Sequence, residues 1–147
     1  ELSLGLVGSE MCIRDRSGFE SWVSGFSSID ASPAADPDHD GVENLLEYVL
    51  DGHPNRSDTS ILPVFQVGSS NFIFIFTRRA ESVQDTTQTF EYGSQLAGWT
   101  SLGIAPTAAP GVVVGTPVAG RQTVTVSIPK SVSANGRLFG RLKVSRP

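Results

Sequence analysis

Asp36, Asp38 and Asp40 stand at alternate positions, Gly41 follows at the sixth place of the run, and Glu47 closes it at the twelfth. Alternate residues of a tight loop can point their carboxylates at one shared centre. A hard divalent cation that takes about six to eight oxygens in a flexible shell suits such a centre. Residues 36–47 match the D-x-[DN]-x-[DN]-G-x5-E spacing of a calcium loop in full. On this reading Asp36, Asp38 and Asp40 each supply one oxygen, Val42 its backbone carbonyl and Glu47 two oxygens, with Asn44 acting directly or through water. Gly41 allows a bend that a residue with a Cβ resists. Pro37 and His39 project outward and are not ligands. Magnesium fits less well because it demands octahedral geometry and keeps its waters, and zinc lacks the soft ligands it prefers. The competing account of these residues is a solvated acidic turn that caps a helix at Val42.

Two helices flank this loop in the pattern. Phe19, Trp22, Val23 and Phe26 recur at helical spacing and predict a short amphipathic helix over 19–26. A connector rich in small residues and proline follows. Val42, Leu45, Leu46, Val49 and Leu50 make a second stripe and predict a helix over 42–50, stopped at Gly52 with Pro54 beyond. The first half therefore reads as helix, loop, helix.

From Pro63 the apolar period changes from helical to two. Strands are expected at 64–67 and 72–77 around a Gly68-Ser-Ser-Asn71 hairpin, and at 89–93. Further strands are expected at 112–118 paired with 122–128 across Ala119-Gly120-Arg121, and at 138–144. Phe72, Phe74 and Phe76 share one face and Ile73 and Ile75 the other, which predicts a central strand covered on both sides. The fold class expected is α+β: a short helix, a calcium loop and a helix, then a small antiparallel β-sandwich or barrel of about six strands. The expected divisions are 17–58 for the helical segment and 61–147 for the β domain.

Charge follows the same division. Of the net −4, residues 17–147 carry −3, and eight acids lie between 30 and 58 against the single base Arg56, a segment that attracts cations. The tail from 120 to 147 holds Arg121, Lys130, Arg137, Arg141, Lys143 and Arg146 and no acid. Bases spread over strands in this way read as a solvated face, or as a patch that docks the acidic segment, and not as a nucleic-acid surface. No apolar run is long enough to span a membrane. The sole cysteine, Cys12, lies outside the patterned region, so neither a disulfide nor a thiolate site is expected there.

Little in the chain suggests catalysis. His39 and His53 both flank the loop, no nucleophile elbow or phosphate-cradling loop occurs, and Glu81, Asp85 and Glu91 have no sequence reason to meet. Asp51 and Asp58 read as turn caps rather than as extra metal ligands. Trp22, Tyr92 and Trp99 are the aromatic residues that could form a platform for a carbohydrate, although each also suits a core.

The run DPDHDGVENLLEYVLDGHP at 36–54 resembles the DPDGDG..NLLEYALG.DP segment found near the C-termini of many secreted bacterial proteins, where one calcium loop precedes a β module. The run FEYGSQLAGW at 90–99 is similar to that family's Y.VE.S.DL..W stretch, and LFGRLKV at 138–144 to its last strand. The resemblance covers about residues 19–145. It implies a non-catalytic, calcium-stabilised C-terminal module, secreted or at the cell surface, whose partners are the parent protein's own N-terminal domains. A carbohydrate- or cell-surface-binding β-sandwich is the alternative it leaves. The loop is also similar to dockerin and EF-hand loops, but those come in pairs and this chain has one copy. Residues 1–16, with Glu10-Met-Cys-Ile-Arg-Asp-Arg16, resemble the translation of a transposon end used to prepare sequencing libraries and are read as an artefact, the alternative being a disordered extension; neither carries a function.

Overall fold

The structure, a computed structural model, describes residues 18–147. The artefact assigned to residues 1–16 lies outside the described residues.

Helix α1 spans Gly18–Val23, shorter than the stripe that predicts it. Beyond Val23 the hydrogen bonds tighten: the Gly25 N–H reaches Trp22 O and the Phe26 N–H reaches Val23 O, both at 3.1 Å. The tightened turn still carries Phe26 to the ring of Trp22, with centroids 5.1 Å apart. The helix is tethered at its start, where the Phe19 N–H donates to Asp85 Oδ2 at 2.8 Å. Asp85 Oδ1 accepts from the Tyr48 hydroxyl at 3.1 Å, so one carboxylate pins both helices. Asp85→Ala leaves a buried hydroxyl and an N–H without an acceptor. It is expected to lower stability by about 2 kcal/mol, read from the urea midpoint, with Trp22 fluorescence shifting red as α1 loosens.

Helix α2 spans Asn44–Leu50, two residues later than expected, because Glu43 is extended at φ −70°, ψ 151° and serves as its N-cap. Asp51 takes the left-handed conformation at its C-terminus with φ 60°, and the Gly52 N–H closes the turn on Glu47 O at 2.7 Å. The left-handed residue is thus Asp51 rather than Gly52; its side chain is held by Arg79 at 2.7 Å and by Arg121. Leu45, Tyr48 and Val49 bury one face of α2 against Phe19 and Val23 of α1, with Val144 packed on the cluster. Full burial of an aromatic or aliphatic side chain contributes roughly 1.5–3 kcal/mol, so this cluster can hold two helices too short to persist alone.

The rest is antiparallel β structure. Among the described residues seven strands form two sheets: β1 Val64–Val67, β2 Asn71–Arg79, β6 Arg121–Pro129 and β5 Val112–Val114 in the order β1-β2-β6-β5, and β4 Thr100–Ala105, β3 Thr87–Gly93 and β7 Phe139–Ser145 in the order β4-β3-β7. The hairpin at 68–71 follows the expected pairing, and β5 pairs with β6, but β5 is confined to 112–114 with Val113 opposite Thr125, and Val118 meets the chain beyond the turn only through a bridge to Arg121. Strand β4 has no counterpart among the strands expected from the sequence. Phe72, Phe74 and Phe76 of β2 join Phe90 of β3, Ile104 of β4 and Val124, Val126 and Ile128 of β6 in one core, to which α2 adds Leu50. The rings of Phe74 and Phe90 meet across the sheets at 4.6 Å. Strand β2 is central, as expected, but its second face is not covered: Ile73 and Ile75 are half-buried, flanked by Thr125 and Ser127.

Candidate metal centre

The loop folds on its own carboxylates. Asp36 accepts from the N–H groups of Asp40 at 3.2 Å and Gly41 at 2.9 Å, and Asp38 Oδ1 accepts from the Asp40 N–H at 3.2 Å. Asp40 Oδ1 accepts from the Val42 N–H at 2.8 Å. Short acidic side chains that bond their neighbours' amides stabilise such turns. Gly41, at φ 89°, supplies the left-handed bend that its place in the pattern predicts. His39 also has positive φ, at 60°, and its side chain is exposed, in keeping with an outward position. Pro37 is half-buried.

This wrapping brings the three aspartates together: one carboxylate oxygen from each of Asp36, Asp38 and Asp40 lies within 4.8 Å of the others. Burial, with repulsion from Asp40 and Asp36, raises the Asp38 carboxyl above its ordinary value, against the opposing hydrogen bond from the Asp40 N–H.

Glu47, in the first turn of α2, is not one of the three carboxylates within 4.8 Å of one another, but it lies near enough for their charges to act on it. It is fully buried, and neither carboxylate oxygen has a hydrogen-bond partner. Its pKa is pushed up to about 7, first by burial and then by the negative charges of Asp38, Asp40 and Asp36, with the nearby His53 N–H offsetting a little. A buried carboxylate with no donor in full hydrogen-bond geometry and three like charges acting on it is costly unless a cation compensates. Asp38 Oδ2 is also buried without a partner. Orphaned polar atoms of this kind are rare in folded proteins and mark places where water or an ion belongs.

Val42 and Asn44, the other expected ligands, also serve the framework. Val42 buries its side chain. Asn44 is fully buried; its amide nitrogen donates to the carbonyls of Asp30 at 2.7 Å and Ser32 at 3.0 Å, and its N–H to Ala35 O at 2.8 Å. It thereby stitches the connector to the start of α2, while its Oδ1 remains without a partner. Asp58, unlike Asp51, touches the centre indirectly: its N–H donates to Asp40 Oδ2 at 2.9 Å and its side chain caps the 3₁₀ turn Thr59–Ile61. No local spacing in the sequence signals that contact.

Other groups with possible chemistry are dispersed among separate partners. His53 packs edge-to-face with Phe26, ring centroids 4.8 Å apart, and accepts from the Asn55 N–H at 3.2 Å. Glu81 pairs with Arg79 at 3.7 Å, and Asp85 holds the helices. Glu91 pairs with Arg141 at 2.6 Å and Lys143 at 3.4 Å, contacts that hold its carboxyl below the ordinary range. Of the basic tail, Arg141 and Lys143 therefore engage Glu91, Arg146 engages Glu20 of α1, and Arg121 engages Asp51 of the acidic segment. Trp22 packs among Phe19, Phe26 and Tyr48, Tyr92 packs against the main core, and one face of Trp99 lies under the Arg141 guanidinium at 4.4 Å. No helix of the described residues is long and apolar enough to cross a membrane. Comparison of this chain with protein-family models, with curated proteins and with solved structures finds no match in any of the three.

Proposed function

We propose that residues 36–47 bind one calcium ion and that the ion stabilises a non-catalytic module of a secreted bacterial protein, the two sheets forming a small β-sandwich. The observation that carries the metal reading is the Glu47 carboxylate, fully buried with both oxygens unpartnered beside three clustered aspartates. Asp36, Asp38 and Asp40 would offer one oxygen each and Glu47 two. An all-oxygen set of this charge suits calcium over zinc, and a tight loop that retains flexibility suits it over magnesium. The wider assignment, export as an accessory part of a larger protein, rests on the resemblance of the 36–54 run to the loops of such modules. The glycan-binding alternative draws on Trp99 alone, since Trp22 and Tyr92 serve the core, and one face of Trp99 is already taken by Arg141.

Isothermal titration of the full chain with calcium tests the proposal. Binding with a dissociation constant of about 10⁻⁴ to 10⁻³ M is expected, as for extracellular calcium modules. At a tenfold excess over that constant, mass action adds about 1.4 kcal/mol to stability and raises the melting temperature by about 4 °C. The double variant Asp36→Ala, Glu47→Ala should show neither effect. Absence of heat at millimolar calcium, together with an unchanged melting temperature, would reduce the loop to a helix-capping turn.

A further inference from the structure

The carboxylate of Asp40 links two parts of the chain. Its Oδ1 accepts from the Val42 N–H within the loop, at 2.8 Å, while its Oδ2 accepts from the Asp58 N–H, at 2.9 Å. Asp58 belongs to the connector that runs from α2 back to β1. Its own Oδ1 accepts from the Ser60 N–H at 3.0 Å and caps the turn Thr59–Ile61, after which Ile61 and Leu62 pack on the main core. A continuous path therefore runs from the loop through Asp40, Asp58 and the turn to the first strand. Other ties from α2 to the β domain, Asp51 to Arg79 and Arg121, the Tyr48 carbonyl to Arg79 and the Tyr48 hydroxyl to Asp85, use none of the loop carboxylates.

We propose that cation occupancy of the loop governs how firmly the connector at 53–60 is held, with Asp40 as the shared element; this rests on the calcium reading above. Without a cation, three like charges within 4.8 Å repel one another, and Asp40 relieves the repulsion by turning its carboxylate toward water. The bond to the exposed Asp58 N–H is then weak and intermittent, as hydrogen bonds open to solvent are. A bound cation fixes the orientation of Asp40 and neutralises the repulsion, so Oδ2 stays in place as an acceptor. The unpartnered Glu47 oxygens give the same cation its second anchor, which keeps the loop, α2 and the connector in one arrangement.

Hydrogen exchange read by mass spectrometry, on the full chain with and without calcium at the saturating level found by titration, tests this. Amides of 53–60 are expected to exchange about tenfold or more slowly with calcium. Those of the 134–137 turn, far from the loop in sequence and closed by its own Ala134–Arg137 bridge, should be unchanged. Glu47→Gln should abolish the difference. Measured calcium binding with unchanged exchange at 53–60 overturns the tether and leaves the calcium reading standing. Equal slowing at 53–60 and 134–137 also overturns it, because that pattern reports global stabilisation. Loss of binding itself would remove the calcium reading and the tether together.

Discussion

Glu47→Gln is expected to make the calcium-free protein more stable at pH 8, by roughly 2 kcal/mol, and to erase its stabilisation by calcium. A substitution that strengthens a fold while disabling its site is the signature of a group kept for binding. The glutamine is nearly isosteric, so packing changes little, while the buried negative charge and its repulsion from Asp38, Asp40 and Asp36 disappear. One pKa unit corresponds to about 1.4 kcal/mol; the displacement of Glu47 to about 7, reduced for a loop open to water, gives the figure of roughly 2 kcal/mol. A helix-capping turn predicts the opposite for calcium: no response in either protein. Urea unfolding of both proteins, with a chelator and with millimolar calcium, separates the two cases.

The same carboxyl sets a pH dependence. Between its unfolded value near 4.5 and its folded value of about 7, the folded chain holds a proton that the unfolded chain releases. Calcium-free stability is therefore full below about pH 4.5 and falls as pH rises to about 7. Burial of Asp38 acts in the same direction. Glu91 acts oppositely and in a different window: its carboxyl is held low by the hydrogen bond and charge of Arg141, so its contribution is lost only as pH falls below the ordinary carboxylate range. Calcium must displace the Glu47 proton, so affinity should weaken on acidification below pH 7. Glu47→Gln should flatten the fall between pH 4.5 and 7; an unchanged slope would show that another group causes it.

The parts of this fold legible in the sequence are those whose causes are local. The alternation of Asp36, Asp38 and Asp40 places three side chains on one side of a tight loop, and the structure brings them within 4.8 Å. The periods of α2, β2 and β6 report which face is buried. Strand β4 is not legible locally because its two inward apolar residues, Leu102 and Ile104, are separated by Gly103, and its pairing comes from β3. The apolar second face of β2 suggested a cover that the described chain does not provide. Asp85 anchoring α1, Asp58 bonding Asp40, and Glu91 held by Arg141 each join residues far apart in sequence. Such contacts follow from the assembled fold and leave no mark in local spacing.

Gly140→Ala is expected to cost about 3 kcal/mol and to lower the melting temperature by about 10 °C. Gly140 sits on β7 where the two sheets meet. A Cβ there would lie 2.5 Å from Phe90 Cζ, 2.9 Å from Phe90 Cε1 and 2.8 Å from Phe74 Cζ, all well inside contact distance. The two rings are already packed at 4.6 Å and Phe90 is fully buried, so relief requires a ring to leave its rotamer or the sheets to part. The effect is steric: Gly140 is absent from the residues with positive φ, so alanine suits its backbone. Gly120→Ala makes the contrast, because φ is 77° there and nothing lies within 4 Å of the added carbon; only a backbone penalty of about 1 kcal/mol is expected. Phe90→Leu shortens the ring that makes two of the three short contacts, so in combination with Gly140→Ala the loss should be clearly less than the sum of the single losses. Strict additivity would show that the two sheets do not meet at this point. Calcium binding by Gly140→Ala at a temperature where it remains folded should be unchanged, since the loop hangs from α2 and its connectors rather than from the ring contact.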